Sequence, residues 1–245
     1  MPITSLDQLD PNGSYTYADY LLWKFEERVE LLRGKIRKMA APSMKHQRTV
    51  TRFTRDIANA LWKTPCQVFV APFDVRLTRT REDKDVVTVV QPDLCVICNP
   101  SKLDARGCNG TPDLIIEILS PGNSRIEMKD KFELYQEAGV LEYWIANPTE
   151  KMIQVFRLNE QGHYIGLPPS VEGDILTTPI IPNLGVDVTE VFGVKISRIW
   201  VFYPSIWAKN TIQLCADVPT FEDLKFHLLN PLKVFCILSG IRHIL

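Results

Sequence analysis

The chain has 245 residues and a formal net charge of -1 at pH 7, with 45% hydrophobic and 23% charged residues. This composition is that of a globular protein with a packed core, and it excludes a largely disordered or fibrous chain. Because the net charge is close to zero, any contact with nucleic acid must come from a local basic patch rather than from the field of the whole protein.

The N-terminal sequence and the cysteines predict a cytoplasmic protein with no membrane partner. The segment MPITSLDQLDPNG contains acids where a secretory signal needs a basic and then an apolar stretch. The longest apolar run, residues 234–238, is far shorter than the roughly 20 residues that cross a bilayer. The six scattered cysteines are therefore expected to be reduced thiols.

In chain order, the first predicted elements are a helix, a hairpin and a second helix. Helical character covers residues 15–27, and residues 29–39 resemble two strands joined by an Arg-Gly turn. Pro42-Ser43 then opens a helix over about residues 44–62.

Two stripes of side chains follow this second helix. The apolar stripe predicts a face turned to the core and consists of Val50, Phe53, Ile57 and Leu61. The basic stripe has the same spacing on another face and consists of Lys45, Arg48, Arg52 and Arg55. Such a basic face is either a solvated surface or a contact for the backbone of a nucleic acid, and the pattern by itself favours neither.

From Cys66 onward the pattern is that of strands around one long helix. The predicted strands are residues 68–77, 86–98, 112–120, 142–146 and 152–158, and the predicted helix is 124–138, ended by Gly139. The sequence therefore predicts a single α/β domain. The region after Phe192 has aromatic and apolar clusters without clear turn signals, so it predicts either a helical lobe or an accessory extension.

Two Pro-Asp-Leu triplets place acids beside apolar strands, at Asp93 and Asp113, and the second leads into Glu117. Buried carboxylates are costly unless they are paired or bind a cation. Asp113 is predicted to cap a turn, and it lies about 13 Å from Glu117 along a strand, too far to share one ion. Asp93 is the better partner, and the pair supplies the oxygen ligands that Mg²⁺ prefers. The alternative is that both acids cap turns or pair with surface bases.

The segments QPDL, GTPDLIIEILSPGNSR and DKFELYQEAGVLEYWIANP, in this order, resemble the Uma-type family of putative restriction endonucleases in the PD-(D/E)XK nuclease superfamily. The resemblance covers about residues 15–192. It implies a nuclease domain over 1–192 with a restriction-endonuclease-like α/β core, in which a mixed central β-sheet is flanked by helices. Residues 193–245 would then be a C-terminal extension of unknown role.

The resemblance also implies roles for individual residues. Asp93 and Glu117 would be the metal-binding acids. Leu119 stands where the superfamily signature has its lysine, and in this family the lysine comes from the following helix in the pattern K-x-E-L-Y, which places it at Lys131. Lys129 is the competing candidate, and the family pattern favours Lys131.

Two further positions match the family and are candidate accessory residues. Glu30 would be an outer ligand near the metal, and His46 is either a helix-start residue without a role or a contact for phosphate. A zinc site is not expected among Cys95, Cys98 and Cys108, because the first two point to opposite faces of a strand and no fourth ligand follows at zinc-finger spacing. Buried thiols are predicted instead.

The leading hypothesis is a metal-dependent DNA endonuclease that uses Mg²⁺, for which Mn²⁺ can substitute. The first rival is a nucleic-acid-binding or regulatory protein that has kept the fold and lost turnover, and the second is a nuclease acting on RNA or structured DNA. The intact acids and lysine argue against the first rival. A homodimer is expected by analogy with nucleases that cut both strands of a symmetric duplex.

Overall fold

The computed structural model describes residues 3–78, 80, 82–120, 125–193, 225–228 and 234–237, without the side chains of 125–127 and of the last two ranges. The chain divides into two compact units, Met1–Val194 and Lys195–Leu245. The helices of the first unit are α1 (Tyr17–Tyr20), α2 (Met44–Ala60), α3 (Arg125–Ala138) and α4 (Val188–Phe192). None of the helices described has the length and apolar character that a membrane span requires.

The central sheet is mixed, because one inner pair of strands is parallel and the other pairs are antiparallel. Its spatial order is β12 (Tyr164–Gly166), β11 (Met152–Leu158), β10 (Glu142–Asn147), β9 (Leu114–Ile118), β6 (Leu94–Ile97) and β3 (Gln67–Val70), with β13 (Ser170–Val171) beside β11. The parallel pair is β9 and β10, and α3 connects these two strands along the chain. The predicted fold class, a mixed sheet with flanking helices, is therefore confirmed.

A second sheet contains the predicted hairpin. Its order is β2 (Lys35–Lys38), β1 (Val29–Leu32), β5 (Val89–Val90), β4 (Val75–Arg76), β8 (Gly107–Asn109) and β7 (Leu103–Asp104). A short pair follows, β14 (Ile175–Leu176) with β15 (Val186–Asp187). In the second unit, β16 (Lys225–Leu228) pairs antiparallel with β17 (Val234–Ile237), so this part of the extension is a strand pair and not the helical lobe that the sequence allowed.

Strand alternation assigns the two faces of the central sheet to different partners. Leu114 and Ile116 of β9 pack in one core cluster with Phe53 of α2, whereas Ile115 packs in another cluster with Tyr135 of α3. Side chains two residues apart on a strand share a face. Glu117 therefore extends from the face that carries Ile115, toward α3.

Most of the predicted elements are present, but the helix expected over 15–27 and the strands expected over 68–77 and 86–98 were wrong. The Arg33-Gly34 turn joins β1 to β2 with positive φ at both residues, and Gly139 ends α3 at φ 83. The helix expected over 15–27 is only α1, because Trp23 leaves the helical path and bridges Ile3 while it packs on the neighbouring aromatic rings. The strand expected over 68–77 is divided into β3 and β4, and the strand expected over 86–98 into β5 and β6, with one part of each in either sheet. A proline, Pro72 in the first case and Pro92 in the second, lies between the two parts and lacks the N–H that a sheet ladder needs.

The prediction that all cysteines are reduced was wrong for two of them. Cys66 and Cys98 form a disulfide, because the register of β3 with β6 places these residues opposite each other just beyond the paired Gln67 and Ile97. Cys95 and Cys108 are buried free thiols as expected. Burial raises the pKa of the Cys108 thiol to about 12, which keeps it protonated and unreactive. The cytoplasmic location, which rested in part on reduced thiols, stays a prediction.

A chain ending at Val194 is expected to fold without the second unit. The three hydrophobic clusters found among the described residues all consist of side chains that precede this position. A domain with its own core can fold alone. Folding of the shortened chain is tested by far-ultraviolet circular dichroism and by thermal melting, with the full chain for comparison, and a cooperative melt is expected. An unfolded product would show that the extension completes the core.

Candidate functional site

A pocket of about 530 Å³ opens at the edge of the central sheet beside the N-terminal half of α2. Five of the predicted site residues line it together: Asp93, Glu117, Lys131, His46 and Arg55. The pocket also takes in the ends of β3 and β9 and the segment between β2 and α2. All of these elements belong to the first unit.

Register brings the two acids to one place. Leu94 of β6 lies opposite Ile116 of β9 in an antiparallel pair, so the next position places Asp93 opposite Glu117 on the same face of the sheet. The backbone N–H of Ile118 donates to Asp93 Oδ2 at 2.8 Å and holds this carboxylate against β9. Both side chains are mostly buried, with 14% exposed in each case.

Lys131 reaches the acids from α3. Its Nζ donates to Glu117 Oε1 at 2.9 Å and to Glu30 Oε1 at 3.1 Å. Tyr135, one helical turn later, donates its hydroxyl to the same Glu117 oxygen at 2.7 Å. Burial alone would lower the pKa of Lys131, but the carboxylates of Glu117 and Glu30 together raise it well above the ordinary value. The lysine is therefore a permanent cation in this pocket.

The pKa of Glu117 is raised to about 7 in the metal-free protein. Burial is the largest cause, and it outweighs the opposing attraction of the Lys131 ammonium. The negative charges of Asp93 and Glu30 raise this pKa further. A second cation near Glu117 would relieve this repulsion, which is the electrostatic setting of a metal site.

Glu30 and His46 are each hydrogen-bonded to one residue of the site, Glu30 to Lys131 and His46 to Asp93. Glu30, buried on β1, accepts from the backbone N–H of Gln91 at 2.8 Å as well as from Lys131. His46 lies in the first turn of α2 and its Nε2 is 3.0 Å from Asp93 Oδ2. Because an ionised carboxylate only accepts, Nε2 is the donor. His46 Nδ1 is buried and has no hydrogen-bond partner among the residues that the structure describes.

The four residues of the predicted basic stripe differ in their contacts and in their distance from the pocket. Arg52 donates to the carbonyl oxygens of Val191 and Gly193, at the end of α4. Arg55 pairs with Asp56 at 2.7 Å, yet it is the one member of the stripe that lines the pocket. The remaining two, Lys45 and Arg48, lie on the same helix toward its N-terminus, where Lys45 is exposed.

The structure also places the competing lysine. Lys129 has 74% of its side chain exposed and lies 3.7 Å from Glu133, one turn along α3. Leu119 contributes no polar side chain at the position of the superfamily lysine. Lys131 is therefore the lysine that contacts the acids. Glu127 precedes it by four residues on α3, a spacing that allows a surface ion pair, but the side chain of Glu127 lies outside the described residues.

Three residues at this site were missed by the sequence reasoning: Tyr135, Gln91 and Arg28. Tyr135 carried a usable signal, because it follows Lys131 by four residues and so shares its helix face. Gln91 is the first residue of the QPDL segment, whereas Arg28 carried no signal, since its partner is distant in the sequence.

The donor set can be compared with the needs of Mg²⁺. Within the described part of the chain, no group of three or more His, Cys, Asp or Glu side chains is arranged to hold a metal ion. Mg²⁺ in nuclease-type sites uses one or two carboxylates and completes its octahedron with water and substrate phosphate oxygens. Asp93 and Glu117, side by side at an open pocket, fit that requirement.

The raised pKa of Glu117 predicts a pH-dependent stability. A carboxyl that titrates at 4.5 in the unfolded chain and at about 7 in the folded protein binds protons more tightly when folded, so folding stability falls as the pH rises through this window. Glu117→Gln is expected to be more stable than the parent above this window, by on the order of 3 kcal/mol, and to lose the advantage at about pH 5. Thermal melts in EDTA across this pH range measure the stability difference between Glu117→Gln and the parent, and Glu133→Gln is the control. A difference independent of pH would contradict the assigned cause.

Comparison with known proteins identifies the family. Residues 17–189 match the sequence model of the Uma2 family, described as "Putative restriction endonuclease". An uncharacterized protein of Synechocystis sp. is 24% identical over 150 residues, 60% of this chain and 76% of that protein. A crystal structure of "a putative nuclease belonging to DUF820" from Anabaena variabilis covers 73% of this chain and 97% of its own, with a TM-score of 0.57 and 20% identity, and shows a shared fold. Because the family match spans most of the chain, this protein belongs to the Uma2 family of restriction-endonuclease-like proteins.

Proposed function

We propose that the protein is a Mg²⁺-dependent endonuclease that hydrolyses phosphodiester bonds in DNA. The observation that carries the proposal is the meeting of Asp93, Glu117 and Lys131 in one pocket of a chain from a restriction-endonuclease family. Two acids and a buried cation are the groups that phosphodiester hydrolysis needs near the scissile phosphate.

Asp93 and Glu117 would hold the ion, and Mn²⁺ can replace Mg²⁺ there because both prefer oxygen ligands. When bound, such an ion neutralises phosphate charge and lowers the pKa of a coordinated water. The protein's own part is to keep both carboxylates on one face of the sheet. Hydrogen bonds from the Ile118 N–H and from His46 hold the Asp93 carboxylate in place. The hydroxyl of Tyr135 holds the Glu117 carboxylate in the same way.

Lys131 would bind a non-bridging oxygen of the scissile phosphate or polarise the attacking water. Its charge is maintained by Glu30 and Glu117, so no proton must be taken up before the reaction. Glu30 acts through Lys131 and is a positioning residue rather than a metal ligand in this proposal. A fixed ammonium of this kind stabilises negative charge that develops in the transition state.

The backbone of the DNA would contact the exposed part of the basic stripe. Lys45 and Arg48 lie near the N-terminus of α2, and Arg55 lies at the pocket. Arg52 contributes less, because its guanidinium is already bound to the end of α4. The homodimer that cleavage of both strands would require stays a prediction.

The decisive experiment is incubation of the purified protein with supercoiled plasmid, linear duplex, single-stranded DNA and RNA, each with Mg²⁺, Mn²⁺ or EDTA. Metal-dependent nicking or linearisation of the plasmid is expected, because an endonuclease needs no free end. The variant with both Asp93→Asn and Glu117→Gln controls for contaminating nucleases. Cleavage of RNA alone would replace the DNA substrate, and binding of DNA without cleavage under any condition would show an inactive family member.

A further inference from the structure

Arg28 brings a guanidinium to the pocket of the two acids. It lies directly before β1, two residues before Glu30, and it lines the same pocket as Asp93 and Glu117. Its Nε and Nη2 donate to Oε1 of Gln91 at 3.1 and 2.7 Å. The side chain is exposed, so a ligand in the pocket can reach it.

Arg28 forms no ion pair with an acid in the part of the chain that the structure describes. Its hydrogen-bond partner Gln91 is neutral, and the ion pairs found there do not include Arg28. Lys131, by comparison, is shared between two carboxylates. Arg28 is therefore the cation of this pocket whose charge remains available to an incoming anion.

Gln91 determines which edge of the guanidinium is available. Its Nε2 donates to Asp74 Oδ1 at 2.8 Å and to the Tyr20 hydroxyl at 3.2 Å, so its Oε1 must face Arg28. Its backbone N–H is tied to Glu30. Gln91 thus binds the side edge of the Arg28 guanidinium, formed by Nε and Nη2. The end edge, formed by the outer N–H groups of the two Nη atoms, remains for two oxygens of a tetrahedral anion.

We propose that Arg28, oriented by Gln91, binds a backbone phosphate of the nucleic-acid strand whose neighbouring phosphodiester lies at Asp93 and Glu117. This inference rests on the proposed function and names a substrate-binding residue for it. The guanidinium fork matches two non-bridging phosphate oxygens in one plane, which a lysine cannot do. Its link through Gln91 to Glu30, and from there to Lys131, fixes the distance between the phosphate-binding group and the catalytic cation.

The test is binding measured without cleavage. Fluorescence anisotropy of a labelled oligonucleotide, single-stranded or duplex, is recorded in EDTA over a series of salt concentrations. Arg28→Gln is expected to weaken binding about tenfold, as loss of ionic hydrogen bonds does, and to reduce the salt slope by about 0.7 for the single strand or 0.9 for the duplex. Arg28→Lys should restore the slope but only part of the affinity, because it keeps the charge and loses the fork.

Arg37→Gln is the matched control, because Arg37 has 51% of its side chain exposed, pairs with Asp130 and is not part of the pocket lining. It should bind like the parent, and melts establish that each variant is folded. If the parent binds and Arg28→Gln binds with the same affinity and slope, or if the control weakens equally, the assignment of Arg28 is overturned while the proposed function stands. A parent that neither binds nor cuts nucleic acid would overturn both.

Discussion

Asp93→Asn and Glu117→Gln are each expected to abolish metal-dependent cleavage while the protein remains folded. Each change keeps the shape of the side chain and removes the anionic oxygens that would bind a divalent ion. The hydrogen bond from Ile118 to Asp93 and the one from Tyr135 to Glu117 can still go to an amide oxygen, so the local structure should persist. Plasmid cleavage in Mg²⁺ measures the loss, and calorimetric titration with Mn²⁺ measures the fall in metal affinity separately.

Asp113→Asn is the matched control for these two variants. It belongs to the second Pro-Asp-Leu triplet and also lies at the start of a strand, but its Oδ2 accepts from the backbone N–H of Cys98 at 2.7 Å, away from the pocket lining. An asparagine oxygen can accept the same bond, so this variant should cut DNA at the parent rate. Retained cleavage in both pocket variants would show that the assigned acids are not the catalytic ones.

Lys131→Met is expected to lower the single-turnover cleavage rate by about 10² to 10³ fold, the usual effect of losing one preorganised electrostatic group. The affinity for Mn²⁺ should not fall, since the two acids remain. The same change leaves Glu30 and Glu117 buried without their cation, which destabilises a protein by about 3 to 5 kcal/mol. Activity and stability must therefore be measured together.

Adding Glu30→Gln to Lys131→Met separates the two effects. The second change removes one of the carboxylates that has lost its partner, so stability should recover in part while the cleavage rate stays low. Recovery of the rate along with stability would mean that Lys131 serves folding alone. Kinetics at a temperature well below every melting transition make this comparison valid.

Lys129→Met is the control for position on α3. Its exposed pair with Glu133 is worth about 0.3 to 0.5 kcal/mol, so neither rate nor stability should change measurably. Loss of activity in this variant, with full activity in Lys131→Met, would transfer the role to Lys129. Full activity in both would remove lysine from the mechanism.

The sequence by itself determined the elements and the candidates whose signal is local. The four-residue spacing of Phe53, Ile57 and Leu61 predicts α2, and these side chains are buried in the core. Acids inside apolar strand sequence pointed to Asp93 and Glu117, because a carboxylate in such a place needs a partner or a cation. The motif pattern placed the lysine on α3. Their catalytic roles stay predictions.

Only the tertiary structure decided which distant groups meet. Lys131 binds Glu30, which is 101 residues away, and Arg28 binds Gln91, which is 63 residues away. Neither contact produces a periodic pattern in the sequence that could predict it. The guanidinium of Arg52, a member of the predicted basic stripe, donates to a carbonyl oxygen of α4. Strand register places Cys66 opposite Cys98, and the two cysteines, which were expected to be free thiols, form a disulfide. Periodicity records which face of an element is buried, whereas pairing between elements depends on register and packing that segments far apart in the sequence create together.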